Sequence, residues 1–115
     1  MWLIIDDQRE LGCDVIARTP EAARALLTCA GFNFECVILD HDLGTKETGL
    51  DVLRYGIESD TLPDHIQLCT SNPVGRQNMA AELKAAGYTS TDGGCNWYKK
   101  VKDDSADGTE VRLAC

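Results

Sequence analysis

Four short apolar runs, each followed by polar residues, predict the strands of a sheet. They lie at residues 2–5, 15–18, 34–39 and 65–69. Strands that are covered on both faces have continuous apolar runs, whereas in half-exposed strands apolar and polar residues alternate. We therefore expect these runs to form a mostly parallel sheet. In such a sheet, functional sites lie beyond the carboxyl ends of the strands.

Helical patterns occupy the intervals between these runs. Thr19-Pro20 and Asn72-Pro73 each combine a capping side chain with a proline at the first helical position. Apolar residues then recur at helical spacing, in three stripes: Ala23, Leu26, Leu27 and Ala30; Leu50, Leu53 and Ile57; Met79, Ala80, Leu83 and Ala86. Strands that alternate with helices predict an α/β fold, a flavodoxin-like three-layer sandwich with helices on both faces of the sheet.

Two segments interrupt the alternation. Residues 8–14 are too few for a full helix between the first two strands, so we expect the first helix to be reduced. After Gly87, residues 88–91 and 95–101 read as a β-hairpin around Asp92-Gly93-Gly94. This hairpin region, with a last strand predicted at 109–114, would replace the final helix.

The length of 115 residues suits one domain, with a core at 1–88 and a C-terminal hairpin extension at 89–115. A net charge of −8 argues against binding of duplex nucleic acid through a basic surface. A phosphate ligand would be repelled unless a cation or a local Arg/Lys cluster intervened. No apolar run has the length of a membrane span or a signal peptide, so we expect a cytoplasmic protein without a membrane partner.

The six cysteines form no C-x-x-C pair, which argues against a zinc site. Several fall inside predicted strands or helices rather than in a loop-rich framework of the kind that disulfides stabilise. We expect reduced thiols at all six positions: Cys13, Cys29, Cys36, Cys69, Cys95 and Cys115.

Three aspartates are the strongest candidates for chemistry. Asp6 and Asp7 follow the first strand, and Asp40 follows the third. If these strands are neighbours, the carboxylates converge, and two charges about 4 Å apart repel by roughly 4 kcal/mol at an effective dielectric of 20. A bound cation relieves such repulsion, and carboxylate oxygens suit Mg²⁺ or Mn²⁺. The alternative is that these acids are solvated turn formers at strand ends.

Further polar residues flank these aspartates. His41 and Asp42 directly follow Asp40 and could exchange protons, although a loop histidine without a role is the plainer alternative. After the fourth strand, the helix start and its side chains could cradle a phosphate, or could simply cap the helix. The candidates for phosphate contact are Thr70, Ser71, Asn72, Gly75, Arg76 and, after the first strand, Arg9.

Four motifs follow one another over residues 2–88: Asp6-Asp7-Gln8-Arg9, Asp40-His41-Asp42-Leu43-Gly44, Thr48-Gly49-Leu50-Asp51, and Asn72-Pro73-Val74-Gly75 with Asn78-Met79. Together they resemble the response-regulator receiver domain, and more closely its branch called the cyclic-phosphate processing receiver domain. The resemblance implies that the paired acids bind Mg²⁺, that Asp40 can accept a phosphoryl group, and that Thr70 contacts phosphate. It also adds Asn78 to the candidate substrate-binding residues.

The chain departs from this resemblance at two further points. The family pattern implies a His-Ser pair where this chain has Cys69-Thr70, which leaves His41 as the histidine of the candidate site. Ordinary receivers also carry a strand-five lysine followed by proline, and Lys99 and Lys100 are followed by no such proline. Phosphorylation-dependent switching is therefore disfavoured.

The leading interpretation is a metal-dependent phosphoesterase that acts on a cyclic phosphate, in a cyclic nucleotide or at a 2′,3′-cyclic phosphate end. Its catalytic candidates are Asp40, His41, Asp42 and Thr70, and its small ligand would be a nucleotide. Two alternatives remain: a noncatalytic module that binds a phosphate-containing messenger, and a phosphoacceptor receiver with Asp40 as acceptor. A haloacid-dehalogenase-type phosphatase is disfavoured, because its Asp-x-Asp motif normally follows the first strand.

Overall fold

Strands and helices alternate along residues 1–99, the part of the chain that the computed structural model describes. The strands are β1 (Trp2–Ile5), β2 (Val15–Ala17), β3 (Cys36–Leu39), β4 (His65–Leu68), β5 (Tyr88–Ser90) and β6 (Asn96–Lys99). The helices are α1 (Pro20–Thr28), α2 (Gly49–Ser59) and α3 (Pro73–Ala85). The predicted order of elements is confirmed, with β3 shorter than the apolar run that predicted it.

The strands form one sheet in the order β2-β1-β3-β4-β6-β5. The pairs β1–β2, β1–β3 and β3–β4 are parallel, whereas β6 pairs antiparallel with both β4 and β5. The α/β receiver-like fold with a mostly parallel sheet is thereby confirmed. The hairpin predicted after Gly87 is β5–β6, and it continues the core sheet because β6 pairs with β4. The strand predicted at 109–114 lies outside the described residues.

The helices begin at the residues that the sequence indicated. The Thr19 hydroxyl accepts a hydrogen bond from the Ala22 amide at 3.1 Å, and the Asn72 side chain accepts one from the Gly75 amide at 3.0 Å. A proline follows each of these caps. Because the cap side chains satisfy amides that have no partner within the helix, these starts are fixed locally.

Helices were expected on both faces of the sheet, and for residues 1–99 this expectation is wrong. All three described helices pack on one face, in a single apolar cluster. The cluster joins Leu3, Ile5, Val37, Leu39, Ile66 and Leu68 of the sheet to Ala23, Leu27, Val52, Leu53, Met79 and Leu83 of the helices. The described part of the opposite face buries a smaller cluster of Ile4, Cys36 and Ile38, with Cys13 packed against it.

The strand order explains this one-sided arrangement. Crossovers between parallel strands are right-handed, so connections that run in opposite directions across a sheet lie on opposite faces. The chain moves one way from β1 to β2 and the other way from β2 to β3 and from β3 to β4. The β1–β2 connection therefore lies opposite α1 and α2, but it contains no helix, as the reduced first helix predicted.

The described cysteines carry free thiols, in agreement with the prediction: Cys13, Cys29, Cys36, Cys69 and Cys95. Cys36 is fully buried, and burial raises the pKa of its thiol to about 12. None of the described helices is long and apolar enough to cross a membrane.

Candidate functional site

Three carboxylates converge at the carboxyl edge of the sheet, where β1 and β3 are neighbours. One oxygen each from Asp6, Asp7 and Asp40 lies within 4.8 Å of the others. Asp6 is 1% exposed and Asp40 is 7% exposed, whereas Asp7 is half-buried. We call these three residues the acidic cluster. Oxygen donors of this kind fit Mg²⁺ or Mn²⁺, so the cluster has the composition of a metal site.

Arg9 lies across the acidic cluster. Its Nε donates to Asp6 Oδ2 at 2.9 Å, and its Nη2 lies 3.6 Å from Asp40 Oδ2. Two further nitrogen–acceptor contacts hold the guanidinium just beyond the end of β4: Nη1 to Cys69 Sγ at 3.2 Å and Nη2 to the Cys69 carbonyl oxygen at 3.1 Å. The cysteine that replaces the histidine implied by the family pattern is therefore a contact of Arg9.

The two buried carboxyls have different electrostatic environments. Burial by itself would raise the pKa of Asp6, but hydrogen bonds from the Arg9 and Gln8 amides, together with the Arg9 charge, lower it overall. Burial and then the Asp6 charge raise the pKa of Asp40, against the hydrogen bond from Thr70 and the Arg9 charge. The ionised form of Asp6 is therefore well stabilised, whereas the ionised form of Asp40 would be stabilised further by an additional cation.

The β3–α2 loop closes against this cluster at two glycines. Gly44 has a φ of +71°, and a Cβ there would lie 3.1 Å from Asp7 Oδ2. A Cβ at Gly49 would overlap the Asp40 carbonyl oxygen, and the Gly49 amide donates to the His41 carbonyl at 2.7 Å. Glycine at these positions lets the loop backbone pass directly over the acidic cluster.

His41 belongs to a second polar group beside this cluster. Its Nδ1 lies 2.9 Å from Asp42 Oδ1, and the Asn72 amide nitrogen lies 3.4 Å from both atoms. The ring packs on Gly75 at the start of α3, where a Cβ would overlap it. An Nδ1–H that donates to Asp42 leaves Nε2 as the nitrogen available for proton transfer. The same hydrogen bond lowers the pKa of the exposed Asp42 carboxyl.

The residues after β4 are only partly brought into the site. Thr70 is 8% exposed, and its hydroxyl interacts with the Asp40 carboxyl. The same hydroxyl accepts a hydrogen bond from the backbone N–H of Asn72 at 3.1 Å. The Arg76 guanidinium donates to the Thr70 carbonyl at 2.9 Å. Ser71 and Asn78 are exposed, and among the described residues no side-chain hydrogen bond links them to the acidic cluster.

Arg18 is a site residue that the sequence reading did not select. Its guanidinium donates to the Arg9 carbonyl at 2.9 Å and to the Asp6 carbonyl at 3.3 Å, so it braces the loop that carries Arg9. The signal was present, because Arg18 is the last residue of the second predicted strand, whose carboxyl end lies on the same side of the sheet as the acidic cluster. Lys99 lies elsewhere: it ends the antiparallel β6 and approaches Asp60 at 3.8 Å, at the opposite edge of the sheet.

Comparisons with known proteins agree with this arrangement. One solved chain, described as the yeast Spc42 trimeric coiled coil (amino acids 181–211) fused to another structure, matches with a TM-score of 0.55 at 21% identity. The match covers 70% of this chain and spans 60% of the length of that one, and at this identity it concerns the fold alone. No curated protein sequence matches. The family model described as "Cyclic-phosphate processing Receiver domain" matches residues 1–85, and the chain belongs to this family.

Proposed function

We propose that this chain is a metal-dependent phosphoesterase that hydrolyses a cyclic phosphate, in a cyclic nucleotide or at a 2′,3′-cyclic phosphate end. The observation that carries the proposal is the oriented histidine beside the acidic cluster. Asp40 belongs to the acidic cluster, and the next residue, His41, is held by Asp42 and Asn72 with one ring nitrogen left for proton transfer. Transfer of a phosphoryl group to an aspartate needs no histidine, whereas departure of an ester oxygen in hydrolysis is assisted by a group that supplies a proton.

Asp6, Asp7 and Asp40 would hold the metal. Their oxygens lie within 4.8 Å of one another, close enough for one ion, and carboxylates with water ligands are the usual shell of Mg²⁺. When bound, the ion would offset the negative charge of the phosphate in a chain whose own net charge is −8. Burial, and then the Asp6 charge, raise the pKa of Asp40, which supports this, because a nearby cation stabilises the ionised carboxylate.

Ring opening requires that water adds to phosphorus and that one ester oxygen leaves with a proton. His41 Nε2 is the group we assign to this proton transfer, because Asp42 keeps Nδ1 protonated. Asp40 is the candidate for the second base or for the nucleophile, because its carboxyl belongs to the acidic cluster and it directly precedes His41 in the chain. Asp42 then serves to orient the imidazole.

The phosphate oxygens would lie against the start of α3. That helix has 13 residues, and its aligned peptide dipoles favour an anion at this end, where Pro73 has no N–H and the Asn72 side chain takes the Gly75 amide, which leaves the Val74 amide for a ligand. The Thr70 hydroxyl, the side-chain amide of Asn72 and the Arg76 guanidinium lie beside this helix end. Arg9 supplies the second cationic side chain.

The test is turnover by purified protein with 3′,5′-cyclic nucleotides and nucleoside 2′,3′-cyclic phosphates, in Mg²⁺, in Mn²⁺ and in EDTA. We expect metal-dependent ring opening that falls at least about 100-fold in Asp40→Asn and in His41→Ala, the usual size of an acid–base contribution. His65→Gln is the matched control, because His65 begins β4 at the opposite edge of the sheet. Absence of turnover across both substrate groups and both metals contradicts the proposal.

One observation favours a second candidate, a noncatalytic module that captures a phosphate ligand. Arg9 already offsets part of the charge of Asp6 and Asp40, so the site can persist without a metal. This alternative predicts ligand binding in EDTA, no product, and unchanged affinity in His41→Ala. Calorimetry on the same substrates separates the two functions.

A further inference from the structure

A groove runs along α3 on the side of the β5–β6 hairpin. It has a volume of about 540 Å³, within the range of small-molecule sites. Trp97 and Tyr88, both 3% exposed, supply its aromatic floor, and the hairpin turn with Gly93 and Gly94 forms one wall. The Trp97 indole nitrogen already donates to the Gly94 carbonyl at 2.9 Å, so the floor offers an apolar ring rather than a free donor.

The helix wall of this groove is cationic. Arg76, Ala80 and Lys84 follow one another at intervals of four residues and share one face of α3, with the smallest side chain in the middle. Within residues 1–99, no carboxylate is among the residues that line the groove, although the chain has 19 acidic residues. The carboxylate of Asp92, in the hairpin turn, accepts from the Asn96 amide and side chain and from Ser90 within its own turn.

Arg76 connects this groove to the candidate active site. Its side chain lines the groove, and its guanidinium donates to the carbonyl of Thr70, whose hydroxyl contacts Asp40. Lys84 lies two helical turns further on, about 12 Å along the axis. A ligand that places one phosphate at Thr70 could therefore extend past Ala80 toward a second cation.

Much of the groove is built by residues beyond the family match. The family model ends at residue 85, whereas Tyr88, Ser90, Gly94 and Trp97 come from the hairpin that follows it. The acidic cluster and His41 lie within the matched residues, whereas this wall comes from the hairpin that follows them. It is therefore positioned to decide which cyclic phosphates are accepted.

We infer that the groove binds the second nucleotide unit of a substrate with a further phosphate, with Lys84 as its phosphate contact and the Trp97 floor against its base or sugar. The preferred substrate class is then a dinucleotide or longer cyclic phosphate rather than a mononucleotide. This inference rests on the proposed function for its reaction, but the groove makes a prediction about binding that does not.

The test compares three probes: adenosine 2′,3′-cyclic phosphate, the dinucleotide adenylyl-adenosine with the same 2′,3′-cyclic end, and the cyclic dinucleotide of two adenylates. Affinities are measured by calorimetry on the full chain with Asp40→Asn, and turnover on the chain with Asp40 intact. We expect at least one dinucleotide to bind about tenfold more tightly than the mononucleotide, as one added charge-assisted phosphate contact predicts. Which dinucleotide does so distinguishes an RNA end from a cyclic messenger.

Lys84→Gln, introduced into the Asp40→Asn chain, should reduce this affinity ratio at least about fivefold, and Ala80→Leu, which fills the middle of the groove, should do the same. The matched control is Lys99→Gln in that chain, which removes the same charge at the opposite edge of the sheet. Equal affinities for all probes, or an equal loss in Lys84→Gln and Lys99→Gln, overturn the inference. If the protein turns over cyclic phosphates but binds dinucleotides no more tightly than the mononucleotide, the groove inference alone is refuted. If it binds a dinucleotide more tightly but shows no turnover, the proposed hydrolase is refuted and the groove inference is supported.

Discussion

Removal of Arg9 gives the sharpest test of the electrostatics of the site. With oxygens within 4.8 Å, the Asp6 and Asp40 charges repel by about 3.5 kcal/mol at an effective dielectric of 20. Arg9 offsets this through contacts of 2.9 and 3.6 Å. Loss of one partner of a buried ion pair costs about 3–5 kcal/mol, and the Arg9 side chain is 45% exposed, so we expect about 2 kcal/mol for Arg9→Gln.

The assay is urea unfolding at neutral pH, in EDTA and in millimolar Mg²⁺. In EDTA, Arg9→Gln should lower the free energy of unfolding by that amount. Mg²⁺ should stabilise the variant more than the parent chain, because a cation then meets carboxylates that no guanidinium offsets. Arg54→Gln is the control: Arg54 pairs with Glu82 at 3.2 Å on the surface, where an ion pair contributes about 0–1 kcal/mol.

Two results would refute this reasoning. If Arg9→Gln unfolds at the parent midpoint in EDTA, the carboxylates do not repel as their distances imply. If Mg²⁺ stabilises the variant and the parent equally, the ion does not bind at the acidic cluster. A loss in Arg54→Gln as large as that in Arg9→Gln would show a general effect of net charge instead.

The remaining predictions concern the histidine, the buried tyrosine and the hairpin turn. Gly75→Ala should lower the free energy of unfolding by about 1–3 kcal/mol, because the added Cβ overlaps the His41 ring at a cost that exceeds the gain in helix propensity; it should also shift the His41 NMR signals and lower turnover at least about tenfold. Burial raises the pKa of Tyr88 to about 12, so the folded state keeps its proton where the unfolded chain loses it. The free energy of unfolding should therefore fall above pH ~10, by up to about 2–3 kcal/mol. In urea unfolding, Tyr88→Phe should remove most of this decrease at high pH, and at pH 7 it should cost about 1 kcal/mol through loss of the hydrogen bond to the Pro63 carbonyl. Hydrogen bonds from Asn96 lower the pKa of Asp92 to about 2, so its contribution to the free energy of unfolding is present above pH ~4 and is lost as pH falls toward 2. If Asp92→Asn leaves the loss of stability at acid pH unchanged, this assignment is wrong.

Local chemistry made several features readable from the sequence. The caps at Thr19 and Asn72, each with a following proline, fix helix starts through contacts within three residues. The convergence of Asp6 and Asp40 was also predictable, because parallel neighbouring strands bring their carboxyl ends to one edge. These inferences needed only chain order and short-range geometry.

Other features depend on residues that meet only after folding. The contact of Arg9 with Cys69 joins positions 60 residues apart, and nothing in the local sequence pairs them. Likewise, the sequence made Gly75 a candidate for phosphate contact, and its packing against the His41 ring became visible only in the folded chain. Long-range packing of this kind has no periodic signature along the chain.

The sequence by itself determined the strand–helix order, the helix starts and the edge at which the acids lie, since local propensity and strand direction decide these. Only the tertiary structure decided which face carries the helices, which cation offsets the carboxylates, and how the β5–β6 hairpin and α3 enclose a groove. The physical reason is that handed crossovers, β6 pairing and side-chain packing combine distant segments, and each such contact depends on all the others being in place.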